Sequence, residues 1–185
     1  MGTGAAFLFA AILAAGPGEG RVSDIRKVDF GNFTYRVWGD HEVQARDGQG
    51  ISPKDAEPSD PIISSIKTVY GDLTGDGRDE AAVVVYFTAG GNATFSEGFV
   101  YTVKLGSVQV LDTFESGPNP WNRIWTVAIS KGELVVEREL GSCHACVDEI
   151  VTTRYRWDGT HLRPSRVTRR KWDGTDPPTW PKEPK

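Results

Sequence analysis

Residues 81–88 read AAVVVYFT, and the stretch that leads into them, residues 70–80, reads YGDLTGDGRDE. A strand with one face in water alternates apolar and polar residues. The run from Ala81 to Val85 is apolar at both parities, so it predicts a strand covered on both faces and lying inside its sheet. The Asp/Gly-rich segment before it has the composition of a tight loop rather than a helix. Working outward, the two-residue period persists. Phe33, Tyr35 and Val37 alternate with Thr34 and Arg36, with residues 42–46 as a partner strand joined through Gly39-Asp40. Downstream, Phe99, Tyr101, Val103 and Leu105 form one face, and Gly106 turns the chain into residues 107–114.

The second half repeats the pattern. Trp125, Val127 and Ile129 alternate, and a Lys131-Gly132 turn leads to residues 133–140, where Glu133, Val135, Glu137 and Glu139 read as an acidic solvent face. Val151, Thr153, Tyr155 and Trp157 share one face of the next strand, with Thr152, Arg154 and Arg156 on the other. Asp158-Gly159 predicts a two-residue hairpin, and residues 161–170 its return strand. About nine short strands at hairpin spacing define an all-β class, a single antiparallel domain built as a sandwich, barrel or curled sheet. The alternative is α+β, with one short helix inside residues 52–66. Residues 47–61 otherwise read as a loop.

Composition sets the outer bounds. The chain has 185 residues, a formal net charge of −4 and 38% hydrophobic residues, and a mean hydropathy of −0.36. This supports one domain with a real core, and excludes a membrane bundle or a disordered chain. An acidic balance argues against a general nucleic-acid binder. Residues 1–15 carry no charge, and residues 5–15 (AAFLFAAILAA) are an unbroken apolar run. That run is shorter than the roughly 20 residues a bilayer requires, and suits the apolar part of a secretory signal. Ala14, Ala15 and Gly16 supply small residues for cleavage. The expected organisation is a signal peptide over 1–20, a β-rich domain over 21–172 and a Pro-rich tail over 173–185. The mature chain is then secreted or periplasmic, with no transmembrane segment.

The loop before residue 81 carries the sharpest chemistry. Counting Asp72 as position 1, Thr74 stands at 3, Asp76 at 5, Gly77 at 6 and Glu80 at 9. Alternate side chains of a tight loop point at a common centre, and Gly77 lets the backbone aim the Arg78 carbonyl there. Oxygen donors at this spacing suit calcium. An EF-hand would need a bidentate Glu at position 12, where Val83 stands. The residues DLTGDGRDE followed by AAVVV resemble the calcium loop of FG-GAP-type repeats of integrins and bacterial propellers. The resemblance implies Asp72, Thr74, Asp76 and Glu80 side chains and the Arg78 carbonyl as ligands. Thr74 replaces the usual Asp or Asn, and the chain has a single copy, so the resemblance extends to the loop and not to a propeller. Together, VDFGNFTYRVW, VYGDLTGDGRDEAAVVV, FVYTVKLG and GELVVERE resemble a group of secreted bacterial proteins of unassigned function, which implies export and one domain. The plain alternative is a turn capped by its own Asp and Thr side chains.

Cys143-His144-Ala145-Cys146 predicts a disulfide in an oxidising compartment, and its spacing also suits redox or zinc chemistry. Zinc would require further ligands, for which His41 and His161 remain. Trp157-Asp158-Gly159-Thr160 recurs as Trp172-Asp173-Gly174-Thr175, aromatic turns of a kind that stack on sugars. Residues 154–171 hold seven basic residues against Asp158, a candidate contact for an anionic cell-wall or membrane polymer or simply a solvated strand face. The reading is an exported β-rich binding or envelope-associated module with a structural calcium loop. Alternatives are a secreted polysaccharide-acting hydrolase using carboxylates such as Asp79 and Glu80, and a redox protein using the two cysteines. No catalytic residue is assigned.

Overall fold

Tight reversals set the topology. Asp47-Gly48, Leu105-Gly106 and Lys131-Gly132 each place two successive residues at positive φ, for the last pair 54° and 71°. Such pairs form the turns whose twist matches that of a β-hairpin. The structure is a computed structural model and describes residues 21–38, 41–50, 57, 59–91, 93–114, 122–142 and 146–174. Among these, β1 (Thr34–Val37), β2 (His41–Arg46) and β3 (Gln49–Gly50) form a small N-terminal sheet. A middle sheet follows, of β4 (Ile62–Gly71), β5 (Glu80–Thr88), β6 (Thr94–Lys104) and β7 (Ser107–Phe114). The C-terminal sheet holds β8 (Ile124–Ser130), β9 (Glu133–Leu140), β10 (Glu149–Trp157) and β11 (Leu162–Lys171), in spatial order β11-β10-β9-β8. All pairings are antiparallel between strands adjacent in sequence.

The middle sheet is coated on both faces, which explains the apolar run at 81–85. Ala81, Val83, Val85 and Phe87 join Tyr35, Val37, Val43 and Ala45 of the N-terminal sheet in one core. Ala82 and Val84 join Val127, Leu134 and Val136 of the C-terminal sheet in a second core. Residues 81–85 are all 0% exposed. The fold is all-β, and the interior strand is the one the sequence marks.

Several local expectations are corrected. The helix allowed within 52–66 is not formed at 62–66, which belong to β4; residues 51–56 and 58 lie outside the described residues. Among the described residues the helical elements are instead two 3-10 turns, Ile25–Lys27 and Phe30–Asn32, capped by the carboxylates of Asp24 and Asp29. β4 escapes a period-2 reading because its register shifts between Ile63 and Ser65, a bulge that breaks the alternation. A second shift, between Ile124 and Thr126, takes Trp125 out of register with Val127 and Ile129. Its ring meets that of Trp172 edge-on, at 6.4 Å between centroids. Asp158-Gly159 is not a two-residue hairpin. Trp157 pairs with Leu162, leaving a four-residue connection in which Gly159 alone takes positive φ. Asp158 closes it by accepting the Thr160 and His161 amides.

The expected signal peptide (1–20), the Gly39-Asp40 turn and the tail from residue 175 lie outside the described residues. No helix among the described residues is long and apolar enough to cross a membrane.

Candidate functional site

The acidic loop joins β4 to β5 and is closed by its own carboxylates. Asp72 accepts the amides of Gly75 (2.6 Å) and Gly77 (3.0 Å). Asp76 accepts the amide of Arg78 and pairs with its guanidinium at 2.7 Å. That hydrogen-bonded guanidinium holds the Asp76 carboxyl below its ordinary range, with a smaller contribution from the Thr74 hydroxyl. Glu80 turns inward and is 1% exposed. One of its oxygens accepts the amides of Leu73 and Thr74, and the other the Thr102 hydroxyl. Burial outweighs these donors and raises the Glu80 carboxyl. Asp79 faces elsewhere and pairs with Arg26, whose guanidinium lies 4.9 Å over the Tyr70 ring.

Each ligand implied by the resemblance can now be placed. Asp72, Thr74 and Asp76 lie on the turn, while Glu80 anchors the turn to the sheet. Among the described residues no group of three or more His, Cys, Asp and Glu side chains converges as a ready metal cage. One feature of the donor set does suit a hard cation. The Thr74 hydroxyl oxygen is buried, belongs to the ligand set and lies beside the Asp76 carboxylate. The Asp79 and Glu80 carboxylates are held by different partners, Arg26 on one side and the loop amides on the other.

Cys143, His144 and Ala145 lie outside the described residues, and Cys146 is exposed. His41 and His161 approach Asp60 (4.0 Å) and Asp112 (3.6 Å) respectively. Asp112 also accepts the Leu162 amide at 2.7 Å, so it ties β7 to the start of β11.

The outer face of the C-terminal sheet carries the strongest charge feature. Across β10 and β11, Arg154 stands opposite Arg166 and Arg156 opposite Arg163. Like charges directly opposite on one face destabilise a sheet. Partial compensation comes from Glu133, which pairs with Arg154 at 3.3 Å and Arg156 at 2.8 Å, and from Asp158, which pairs with Arg163 at 2.9 Å. Those arginines hold both carboxyls below their ordinary range, through hydrogen bonds from Arg156 to Glu133 and from Arg163 to Asp158. Arg166 and Arg170 share that face by alternation and are exposed. The face expected to be acidic on β9 is therefore part of an arginine-lined surface, and Glu139 there is buried against Arg123 at 2.6 Å. The seven basic residues of 154–171 are legible in sequence. Their opposition is not, because it depends on the extra residue, Ser165, that shifts the register of β11.

Compared with protein-family models, curated proteins and solved structures, the chain matches none.

Proposed function

We propose that this chain is an exported, β-rich, envelope-associated binding module that holds an extended polyanion along β10 and β11. The observation that carries the reading is the opposition of Arg154 to Arg166 and of Arg156 to Arg163. A sheet needs only solvated side chains on an outer face, and alternating signs would have stabilised it. Two successive like-charged pairs in a chain of net charge −4 instead concentrate positive potential on one strip.

Cation-exchange chromatography tests this directly. The chain is produced with residues 1–20, and the product is expected outside the cytoplasm and lacking them. It is expected to be retained at neutral pH despite its net negative charge. Arg166→Ser/Arg170→Ser should pass through unretained, whereas Arg46→Ser/Lys104→Ser, with the same charge loss elsewhere, should still be retained. Equal elution of the two variants sinks the binding face, and an uncleaved cytoplasmic product sinks export.

The acidic loop is proposed to take a structural calcium ion through Asp72, Thr74, Asp76 and the Arg78 carbonyl. Glu80 would join only by sharing oxygens that already accept the Leu73 and Thr74 amides or the Thr102 hydroxyl. Supporting this are the loop spacing and the buried Thr74 hydroxyl beside Asp76. In the exported chain Cys143 and Cys146 are proposed to pair. Millimolar calcium should raise the melting temperature by several degrees relative to chelator, as expected for a ligand near a hundred times its Kd and a domain of this size. The shift should vanish in Asp76→Ala. Identical melts with calcium and chelator would leave the loop a turn closed by its own amides.

A further inference from the structure

We infer that the polyanion is an acidic polysaccharide, a polymer whose sugar units carry carboxylates, lying lengthwise along β11. The inference rests on the binding face proposed above and names its ligand.

The shape of the charged strip comes first. From Arg163 to Arg170 the row follows β11, with Trp172 just past the strand's end, and at about 3.3 Å per residue the whole extends roughly 30 Å. It is narrow, because strands lie about 4.8 Å apart and the adjacent β9 places Glu133, Glu137 and Glu139 on the same face. β11 is the edge of its sheet, and among the described residues no strand pairs with its other side. A single extended chain fits a ribbon of this width. A duplex or a bilayer surface would also press its charges against the β9 glutamates.

The chemistry of the row comes second. Every cation that alternation puts on this face of β10 and β11 is an arginine: Arg154, Arg156, Arg163, Arg166 and Arg170. Guanidinium groups are planar forks that take carboxylates or phosphates two bonds at a time, which an ammonium does not do. Arg154, Arg156 and Arg163 already bind Glu133 and Asp158, each through one hydrogen bond, whereas Arg166 and Arg170 project from the exposed strand. At the end of the row, the half-buried Trp172 follows Arg170 on the same face, its ring braced by Trp125. An aromatic ring beside a line of carboxylate-binding forks suits a sugar face next to a sugar carboxylate. A duplex keeps its bases stacked away from such a ring, and lipid headgroups have no ring to stack on it. A single-stranded nucleic acid could use both features and is therefore an arm of the test.

Titration calorimetry with polygalacturonate tests the inference, using fully methyl-esterified polygalacturonate, a short single-stranded DNA, a short duplex DNA and phosphatidylglycerol vesicles as competing arms. Polygalacturonate is expected to bind with an affinity that falls as salt rises. Esterification should weaken binding at least tenfold. Arg166→Ser/Arg170→Ser should lose at least tenfold, and Arg46→Ser/Lys104→Ser less than twofold. Trp172→Ala should lose severalfold while keeping the salt dependence, because it removes stacking and no charge. Thermal melts verify that each variant is folded. Equal or tighter binding to either DNA or to vesicles overturns the polysaccharide, as does binding that survives esterification. If the chain is retained on a cation exchanger but ignores polygalacturonate, this inference fails and the binding face stands. If it is not retained at all, both fail.

Discussion

At the scale of single residues, two buried glutamates show how differently a carboxylate can be used. Glu80 is surrounded by donors, two amides and a hydroxyl, and holds the acidic loop to the middle sheet. Glu97 on β6 lies 6% exposed under the N-terminal sheet, and accepts the Trp38 amide at 3.0 Å. Burial raises its carboxyl above the ordinary Glu value. A group that holds its proton more tightly folded than unfolded stabilises the fold in acid, and that contribution fades as pH rises from the ordinary Glu value through the raised one. Glu97→Gln keeps an acceptor for Trp38 and removes the buried charge. It is expected to melt a few degrees higher than wild type at pH 7 and to lose that advantage toward pH 4. A variant that melts lower at pH 7, or a difference independent of pH, would show that the ionised carboxylate is not a cost to the fold. Neither glutamate declares its burial in sequence, since each stands in a strand where a solvent-facing polar residue is equally ordinary.

At the scale of elements, period-2 reading works where strands are regular and fails at bulges. β5, β9 and β10 were legible from alternation or its absence, because each presents an uninterrupted run to the core. β4 was not, since the register shift near Ser64 puts Ile62 at the surface and Ile63 in the interior. Close approach between elements is also invisible to a pattern. At Gly98 on β6, a Cβ would fall on the ring of Phe114 in β7, and at Gly71 on the side chain of Ile129 in β8. Gly98→Ala is therefore expected to lower stability by about 1–3 kcal/mol, the usual range for overpacking a tight core. Urea unfolding of wild type and variant measures it, and an unchanged midpoint would mean that Phe114 moves aside freely.

At the scale of the whole molecule, three stacked antiparallel sheets make the middle one a shared wall. Its two faces serve separate cores, so substitutions in β5 bear on both. The N-terminal segment closes one side. Arg26 links the 3-10 turn at Ile25–Lys27 to Asp79 and Tyr70, and the Val22 amide donates to the Gly106 carbonyl. On the other side, Asp112 joins β7 to the β10–β11 hairpin. The Asp112 link fixes the start of β11, and with it the arginine-lined face, to the middle sheet.

By itself the sequence determined the strand content, the interior place of residues 81–85, the tight acidic turn before them and the concentration of arginine near the carboxy terminus. Alternation and turn chemistry are local, and local backbone geometry decides them. Only the tertiary structure decided which polar residues are buried, where the registers slip and which arginines face one another. Those depend on pairing between distant strands and on which face a neighbouring sheet covers. Glu80 becomes an anchor because the loop amides fold back over it. Arg166 meets Arg154 because Ser165 is the extra residue in β11.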